Sequence, residues 1–152
     1  MKELDIISFF KKVPLLENLE EKEFEELAKV AIEKDFDKGK VIFYEEDYGT
    51  SLYIIVYGKV KISVHSNEGK EHTIGNLGDK DFFGEISLLD GQPRSTNIVA
   101  LERVKVITIS RENFLKLLRN NPHITHKIIL SLCKKIRITD KHIGNLAFLS
   151  AP

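Results

Sequence analysis

The sequence is poor in cysteine and has no long apolar run, and both absences exclude whole classes of protein. Cys133 is the single cysteine among 152 residues, so an internal disulfide framework is excluded, as is an iron–sulfur cluster held by this chain's own thiolates. No apolar stretch approaches the roughly 18 residues that a membrane-spanning helix needs. The N-terminal segment, MKELDIISFFKK, lacks the apolar centre of a signal peptide. These features predict a cytoplasmic protein.

Patterns typical of catalytic and metal sites are also missing. The five histidines include no His-x-His pair of the kind that metal-dependent rolls use. His65 and His72 could still face each other across a predicted hairpin, while the other three lie on a long predicted helix, where we expect them at the surface. Cys133 has no base at a useful spacing for nucleophilic catalysis. The sequence therefore predicts neither an enzyme nor a metal site.

Charge is balanced overall but is divided between the two ends of the chain. Residues 1–50 carry 8 basic and 14 acidic side chains, a net charge of −6, and residues 111–152 carry 8 basic and 2 acidic ones, a net charge of +6. A basic segment can contact nucleic acid. We favour the simpler interpretation, a helix with a solvated cationic face.

Helical spacing of apolar residues marks the N-terminal part of the chain. Leu4, Ile7 and Phe10 recur at this spacing and predict an amphipathic helix over residues 3–12. A second helix is predicted over residues 20–32, with acidic residues at its N-terminal end, where the helix dipole favours them.

Short β-branched and aromatic runs, separated by turns, follow from Phe36. Residues 60–65 alternate between apolar and polar side chains, and residues 71–76 return as a hairpin partner. Residues 96–101 and 104–109 are predicted to pair with each other. The predicted fold class is mainly β with flanking helices, built as an antiparallel, double-layered, jelly-roll-like β-roll.

The C-terminal part is predicted to be helical again. Ser110 is a suitable N-cap for a short helix that ends at Asn120, and Pro122 suits the first turn of a long one. A narrow apolar seam on the long helix steps by three and four residues through Ile129, Leu132, Ile136, Thr139, Ile143 and Leu146. Such a seam is typical of helix pairing, so we predict a parallel homodimer along residues 124–146. The alternative is that the seam packs on the roll.

The stretch from Phe82 to Ala100 combines features of an anion site. Gly84 allows close approach of the backbone, and residues 85–89 can form a short helix whose first amide groups favour a negative charge. Arg94 supplies a guanidinium fork suited to phosphate. Glu85 would repel phosphate but can accept hydrogen bonds from sugar hydroxyls. These residues together predict a nucleotide with one compact phosphate.

The segment FGEISLLDGQPRS resembles the phosphate-binding cassette of cyclic nucleotide-binding domains. With KGKVIFYEED, LYIIVYGKVKIS, NEGKE and TDKHIGNLAFL, nearly the whole chain is similar to the Crp–Fnr transcription regulators, in particular to their catabolite activator branch. The resemblance implies a double-stranded β-helix over residues 1–121, including the N-terminal helices. It also implies a dimerisation helix and the start of a hinge over residues 122–149. From the same resemblance we expect the DNA-binding domain that follows in relatives to be absent from this chain.

The resemblance also implies a ligand and a set of site residues. Cyclic AMP is the favoured effector, with cyclic GMP as the other nucleotide candidate and no metal. The implied ligand-binding residues are Gly84, Glu85, Ile86, Ser87, Arg94, Ser95, Thr96, Ile74, Thr139 and Asp140. Ser95 would donate to the phosphate, Ile74 would line the wall, and Thr139 would reach the base. Asp140 would act from the partner subunit; an ionised carboxylate only accepts hydrogen bonds, which suits the adenine amine and also a guanine N–H edge.

The implied function is the cyclic nucleotide-sensing domain of a transcription regulator, a binding module with no contact to a membrane. DNA would be bound only through the missing domain. The alternatives are a roll-type sensor for cyclic GMP or for haem, with His72 as an axial ligand, a dimerisation module that binds no nucleotide, and a metal-dependent cupin-like enzyme. The sequence leaves open the regulated genes and whether the regulator activates or represses them.

Overall fold

The computed structural model describes the backbone of residues 1–150 and the side chains of residues 1–138 and 141. The helices are α1 (Glu3–Phe10), α2 (Glu21–Val30), α3 (Glu85–Asp90), α4 (Arg111–Asn120) and α5 (Pro122–Ser150), with a 3-10 helix at Pro14–Leu16. The strands are β1 (Ile32–Phe36), β2 (Val41–Phe43), β3 (Ser51–Tyr57), β4 (Val60–His65), β5 (Glu71–Leu77), β6 (Phe82–Phe83), β7 (Asn97–Ala100) and β8 (Val104–Ser110). None of the helices, as far as the chain is described, is long and apolar enough to cross a membrane.

The strands form two four-stranded antiparallel sheets, ordered β1-β8-β3-β6 and β2-β7-β4-β5. This arrangement confirms the predicted double-layered roll with flanking helices. The predicted pairing of β7 with β8 is wrong, because β7 pairs with β2 and β4 while β8 pairs with β1 and β3. Both strands are central in their sheets, so each needs partners on two sides. The short link between them passes from one sheet to the other.

The predicted end of α2 is also wrong. The helix stops at Val30, and Ala31 already has an extended backbone with ψ of 137°. Residues 32–36 form the edge strand β1, which pairs with β8, and the Thr108 hydroxyl donates to the Ile32 carbonyl at 3.3 Å. Polar residues dominate this strand because it lies at the edge of its sheet, where β-periodicity in the sequence is weak.

The remaining helices follow the predictions more closely. Ser110 caps α4, its hydroxyl accepting from the Asn113 N–H at 3.2 Å, as expected. α1 begins where predicted but ends at Phe10, and its buried side chains are Ile6, Phe9 and Phe10. Leu4, which was expected on the inner face, is exposed.

Two apolar clusters form the core. The first joins the N-terminal helices to β3, β8, α4 and the first two turns of α5, through Ile124 and Ile128. The second fills the roll and includes the side chains of Tyr53, Ile55 and Phe83. Complete burial of each such side chain stabilises the fold by about 1.5–3 kcal/mol. The first cluster therefore fixes the start of α5 against the roll, next to the segment that contains α3.

Candidate functional site

Two glycines in the left-handed region frame the short helix α3. Gly84 has φ of 89° before the helix and Gly91 has φ of 70° after it, a conformation that costs side-chain-bearing residues free energy. A Cβ atom on Gly84 would lie 2.7 Å from Nη1 of Arg94 and 3.2 Å from the Ser51 carbonyl oxygen. The sequence therefore needs glycine at position 84 both for the turn and for the approach of Arg94.

The guanidinium group of Arg94 folds back under α3. Only 4% of the residue is exposed. Nη1 donates to the Gly84 carbonyl at 2.6 Å and to the Ser87 hydroxyl at 2.8 Å, and Nη2 donates to the Ser51 carbonyl at 2.8 Å. Thus α3 and the start of β3 supply acceptors for the Nη1 and Nη2 groups of this side chain.

The loop between β2 and β3 covers Arg94 from another direction. The Arg94 N–H donates to the Asp47 carbonyl at 2.6 Å, and the Glu46 N–H donates to the Arg94 carbonyl at 2.8 Å. A Cβ atom on Gly49 would lie 2.7 Å from Cζ of Arg94, so the Gly49 backbone lies directly against the guanidinium. The ring centroid of Phe43 is 4.1 Å from the same Cζ.

The charge of Arg94 is buried among neutral acceptors. Each of its three protein hydrogen bonds ends on a carbonyl or hydroxyl oxygen, and within the described side chains no carboxylate forms a salt bridge with it. Burial lowers the pKa of Arg94, and the charges of Tyr53, Glu85 and Asp47 act to raise it. A guanidinium has five N–H donors and stays protonated. Two of the five therefore remain for an anion, and a buried cation favours one strongly.

Glu85 is the most buried acidic residue near this cation, with 1% of its surface exposed. Its carboxylate accepts from the ammonium group of Lys135 on α5, which forms a salt bridge with it. Sequence reasoning missed Lys135. Its position seven residues after the buried Ile128 was the available signal, because that spacing puts both side chains on the same face of α5.

The structure brings four of the predicted site residues together around one point. Gly84, Ser87 and Arg94 are in direct contact, and Glu85 begins the same helix. The side chains of Ile86, Ser95 and Ile74 are exposed, and Thr96 is half-buried. The side chains of Thr139, Asp140, Ile143 and Leu146 lie outside the described residues, so their predicted roles stay predictions.

On the predicted pairing seam of α5, the described residues are unequally exposed. Ile129 and Ile136 are exposed, whereas Leu132 is half-buried and packs on the first core cluster. One edge of the seam therefore touches the protein's own core, and the other edge faces outward.

His65 and His72, which could have faced each other across the hairpin, do not do so in the structure. The tight turn after His65 sets the register of the hairpin, so that Glu71 lies opposite His65 and His72 lies opposite Val64. Neighbouring residues of a strand point to opposite faces, so the two histidine side chains do not meet.

His65 instead contacts residues of other strands and loops. Its backbone N–H donates to the Glu45 carboxylate at 2.9 Å, and the Glu45 N–H donates to the Asn97 side-chain oxygen at 2.8 Å. Among the described side chains there is no group of three or more histidines, cysteines or acidic residues that could hold a metal ion.

Comparisons with known proteins match this architecture. The sequence model of the cyclic nucleotide-binding domain matches residues 33–121. The cyclic AMP receptor protein of Thermus thermophilus is 36% identical over 116 residues, which are 76% of this chain and 54% of that protein. The CRP-like cAMP-activated global transcriptional regulator of Mycobacterium tuberculosis is 30% identical over 118 residues, 78% of this chain and 53% of that protein.

The crystal structure of the Thermus thermophilus catabolite activator protein superposes with a TM-score of 0.78 at 33% identity, covering 89% of this chain and 63% of that one. The chain spans about half the length of the curated relatives that it matches. The matched segment includes all of both sheets except Ile32, together with α3 and Arg94, and it is more than half of the chain. The chain therefore belongs to the cyclic nucleotide-binding domain family.

Proposed function

We propose that this chain is the cyclic AMP-sensing domain of a transcription regulator, a binding module with no catalytic step. The observation that carries the proposal is Arg94, a buried cation with three neutral acceptors and two remaining N–H donors. A cyclic phosphate carries a single negative charge in a compact group, which fits a single enclosed guanidinium. The names of the similar proteins from Thermus thermophilus and Mycobacterium tuberculosis support cyclic AMP as the effector.

In this proposal the phosphate is bound by Arg94, Ser95 and the first amide groups of α3. Glu85 accepts from the sugar hydroxyls, and Thr139 contacts the base together with Asp140 of the partner subunit. The Glu85–Lys135 salt bridge supports this arrangement, because it already connects the sugar-binding carboxylate to α5. A ligand that hydrogen-bonds to Glu85 competes with Lys135 for the carboxylate. Its affinity therefore differs between a position of α5 in which the salt bridge is formed and one in which it is broken. A difference in affinity between two states is the requirement for a switch.

The proposal divides the chain into a nucleotide-binding roll, residues 1–121, and a dimerisation helix with the start of a hinge, residues 122–149. Exposure of Ile129 and Ile136 supports pairing of α5 with a second copy. In the whole regulator, DNA would be bound by a C-terminal domain that follows the hinge.

Isothermal titration with cyclic AMP, with cyclic GMP and with a series of divalent metal ions tests the proposal. We expect one cyclic AMP per chain, weaker binding of cyclic GMP and no heat with the metals. Arg94→Ala is expected to abolish binding, and Arg94→Lys, which keeps the charge but loses the fork, is expected to weaken it strongly. The exposed Arg103→Ala is the matched control.

Circular dichroism confirms that each variant is folded before it is titrated. If folded wild-type protein binds no cyclic nucleotide, the proposal is wrong, and the absence of heat with the metal ions as well would favour the dimerisation module. Heat with a metal ion but not with a nucleotide would favour the roll-type enzyme. Retention of binding in the folded Arg94→Ala variant would remove the proposed phosphate site.

A further inference from the structure

We infer that Phe43 is a positioning residue for Arg94, holding the guanidinium in the orientation in which it takes the phosphate. The inference rests on the proposed function, since it concerns the same anion site. Phe43 ends β2, outside the segment that contains α3 and Arg94, and its ring centroid lies 4.1 Å from Cζ of Arg94.

Phe43 is itself held by two other aromatic rings. Its centroid lies 5.7 Å from the ring of Tyr53 and 5.7 Å from that of Phe83, both in tilted or edge-on geometry. Tyr53 and Phe83 stack on each other with centroids 5.0 Å apart and an interplanar angle of 5°. The three rings form a rigid aromatic shelf on one wall of the second core cluster. A rigid shelf can fix the plane of a side chain that lies on it.

The local backbone of β2 aims Phe43 at this place. The pairing of β2 with β7 shifts register between Val41 and Phe43, so that Val41 lies opposite Val99 but Phe43 lies opposite Ile98. Such irregularities redirect a side chain relative to the regular ladder. The loop that leaves Phe43 then returns to contact Arg94 through Asp47 and Gly49. One short segment thus supplies both the ring that contacts the guanidinium and the backbone that covers it.

The physical need for a ring follows from the burial of Arg94. Its hydrogen bonds fix the Nη1 and Nη2 edges, while Nε has no acceptor among the described residues. The negative face of an aromatic ring attracts a desolvated cation, by about 0.5–2 kcal/mol, and orients its plane. A leucine of similar volume would fill the space but could not provide this attraction. Without the ring, Arg94 should sample orientations in which its two remaining donors do not converge on a phosphate.

The experiment measures cyclic AMP affinity in three variants at position 43 and in one control. Phe43→Leu is expected to weaken binding about tenfold, within the range that the cation–π attraction allows. Phe43→Tyr and Phe43→Trp should stay within about threefold of wild type, because each keeps a ring. Phe36→Leu is the matched control, since Phe36 is another half-buried phenylalanine that packs on the same core cluster. It should leave affinity unchanged.

A second readout separates positioning from general stability. In protein labelled with ¹⁵N and free of nucleotide, the Nε–H resonance of Arg94 should be sharp and protected from exchange with water. Phe43→Leu should broaden it or increase its exchange, whereas Phe36→Leu should not, even if the two variants have the same melting temperature.

The outcomes test the proposed function and the positioning role of Phe43 separately. If wild-type protein binds no nucleotide, the proposed function fails and the phosphate role of Phe43 fails with it. If wild-type protein binds and Phe43→Leu binds as well as Phe36→Leu, the inference alone is overturned. Tighter binding by Phe43→Leu would show that the ring holds Arg94 away from the phosphate, which also overturns it.

Discussion

The carboxylate of Glu85 in α3 and the ammonium group of Lys135 in α5 form a salt bridge between residues 50 positions apart in the sequence. The two partners are unequally buried, because 1% of the Glu85 side chain is exposed against 43% of the Lys135 side chain. The cost of desolvation therefore falls mainly on the carboxylate. Through this contact the segment proposed to bind the ligand is directly connected to the long helix.

Lys135→Met is expected to lower the free energy of unfolding by about 2 kcal/mol, because it removes a cationic partner from a buried carboxylate. We expect less than the 3–5 kcal/mol reached by fully buried pairs, since Lys135 is partly solvated. Urea denaturation measures the change. Lys134→Met, at an exposed neighbouring lysine, is the control and should change stability little. The double variant Glu85→Gln/Lys135→Met should recover part of the loss, and no recovery would contradict the account.

Gly49→Ala is expected to displace Arg94. The added Cβ would collide with the Ser87 hydroxyl and come within 2.7 Å of Cζ of Arg94, both closer than real Cβ contacts, and neither group can give way without weakening the hydrogen bond between them. Cyclic AMP affinity should fall at least tenfold, as measured by titration, corresponding to about 1.4 kcal/mol. Gly78→Ala is the matched control, because the nearest atom to its Cβ would be 3.9 Å away. Equal effects of the two substitutions would argue against a close approach at Gly49.

Acid should destabilise the protein partly through Glu33. The hydrogen bond from Lys105 holds the pKa of Glu33 below its ordinary value of 4.5, and the N-terminal ammonium group acts in the same direction. A lowered pKa in the folded state contributes stability that is present above 4.5 and is lost as the pH falls through the folded value. Melting temperatures between about pH 7 and about pH 3 should therefore converge for wild type and Glu33→Gln at the acidic end.

The control for this pH dependence is Glu68→Gln, in the exposed turn between β4 and β5. The melting temperature of this variant should differ from that of wild type by the same amount at every pH in the range. If the difference in melting temperature between wild type and Glu33→Gln stays constant down to the acidic limit, the charge of Glu33 does not contribute to stability through its pair with Lys105.

Local patterns in the sequence predict most of the fold. The strand over residues 60–65, the Asn-Glu-Gly turn and the N-cap at Ser110 each depend on a few neighbouring residues, and the structure confirms each of them. The alternation predicted along that strand is interrupted, because its register with β5 shifts between Ile62 and Ser63 and the Ser63 side chain is buried. β1 was not predicted for two reasons. It is an edge strand made largely of polar residues, and no glycine or proline separates it from the end of α2. The partners of β7 and β8 were not predicted, because the sequence of the turn between two strands does not show whether each strand pairs with a strand far away in the chain.

In the candidate site, too, the residues close together in the sequence were predicted and those brought in from elsewhere in the chain were not. The Gly84-Glu85 pair, Ser87 and Arg94 belong to one segment with a recognisable spacing, and the structure gathers them in one place. The residues that contact Arg94 from outside that segment, Phe43, Gly49 and Ser51, were not predicted, and neither was Lys135 on α5, which pairs with Glu85. They are brought to the site by tertiary packing, and no local spacing connects them to it.

The long helix offers a sharp test of dimerisation. Ile136 and Ile138 are each 59% exposed, yet they lie two positions apart, about 200° around the helix axis. Ile136 shares the proposed seam with Ile129, whereas Ile138 points away from it. Ile136→Glu should therefore convert a dimer into a monomer in sedimentation experiments, because it places a charge in the apolar seam of both copies. Ile138→Glu should leave the dimer intact, and if both variants dissociate, or neither does, the seam does not mediate the assembly.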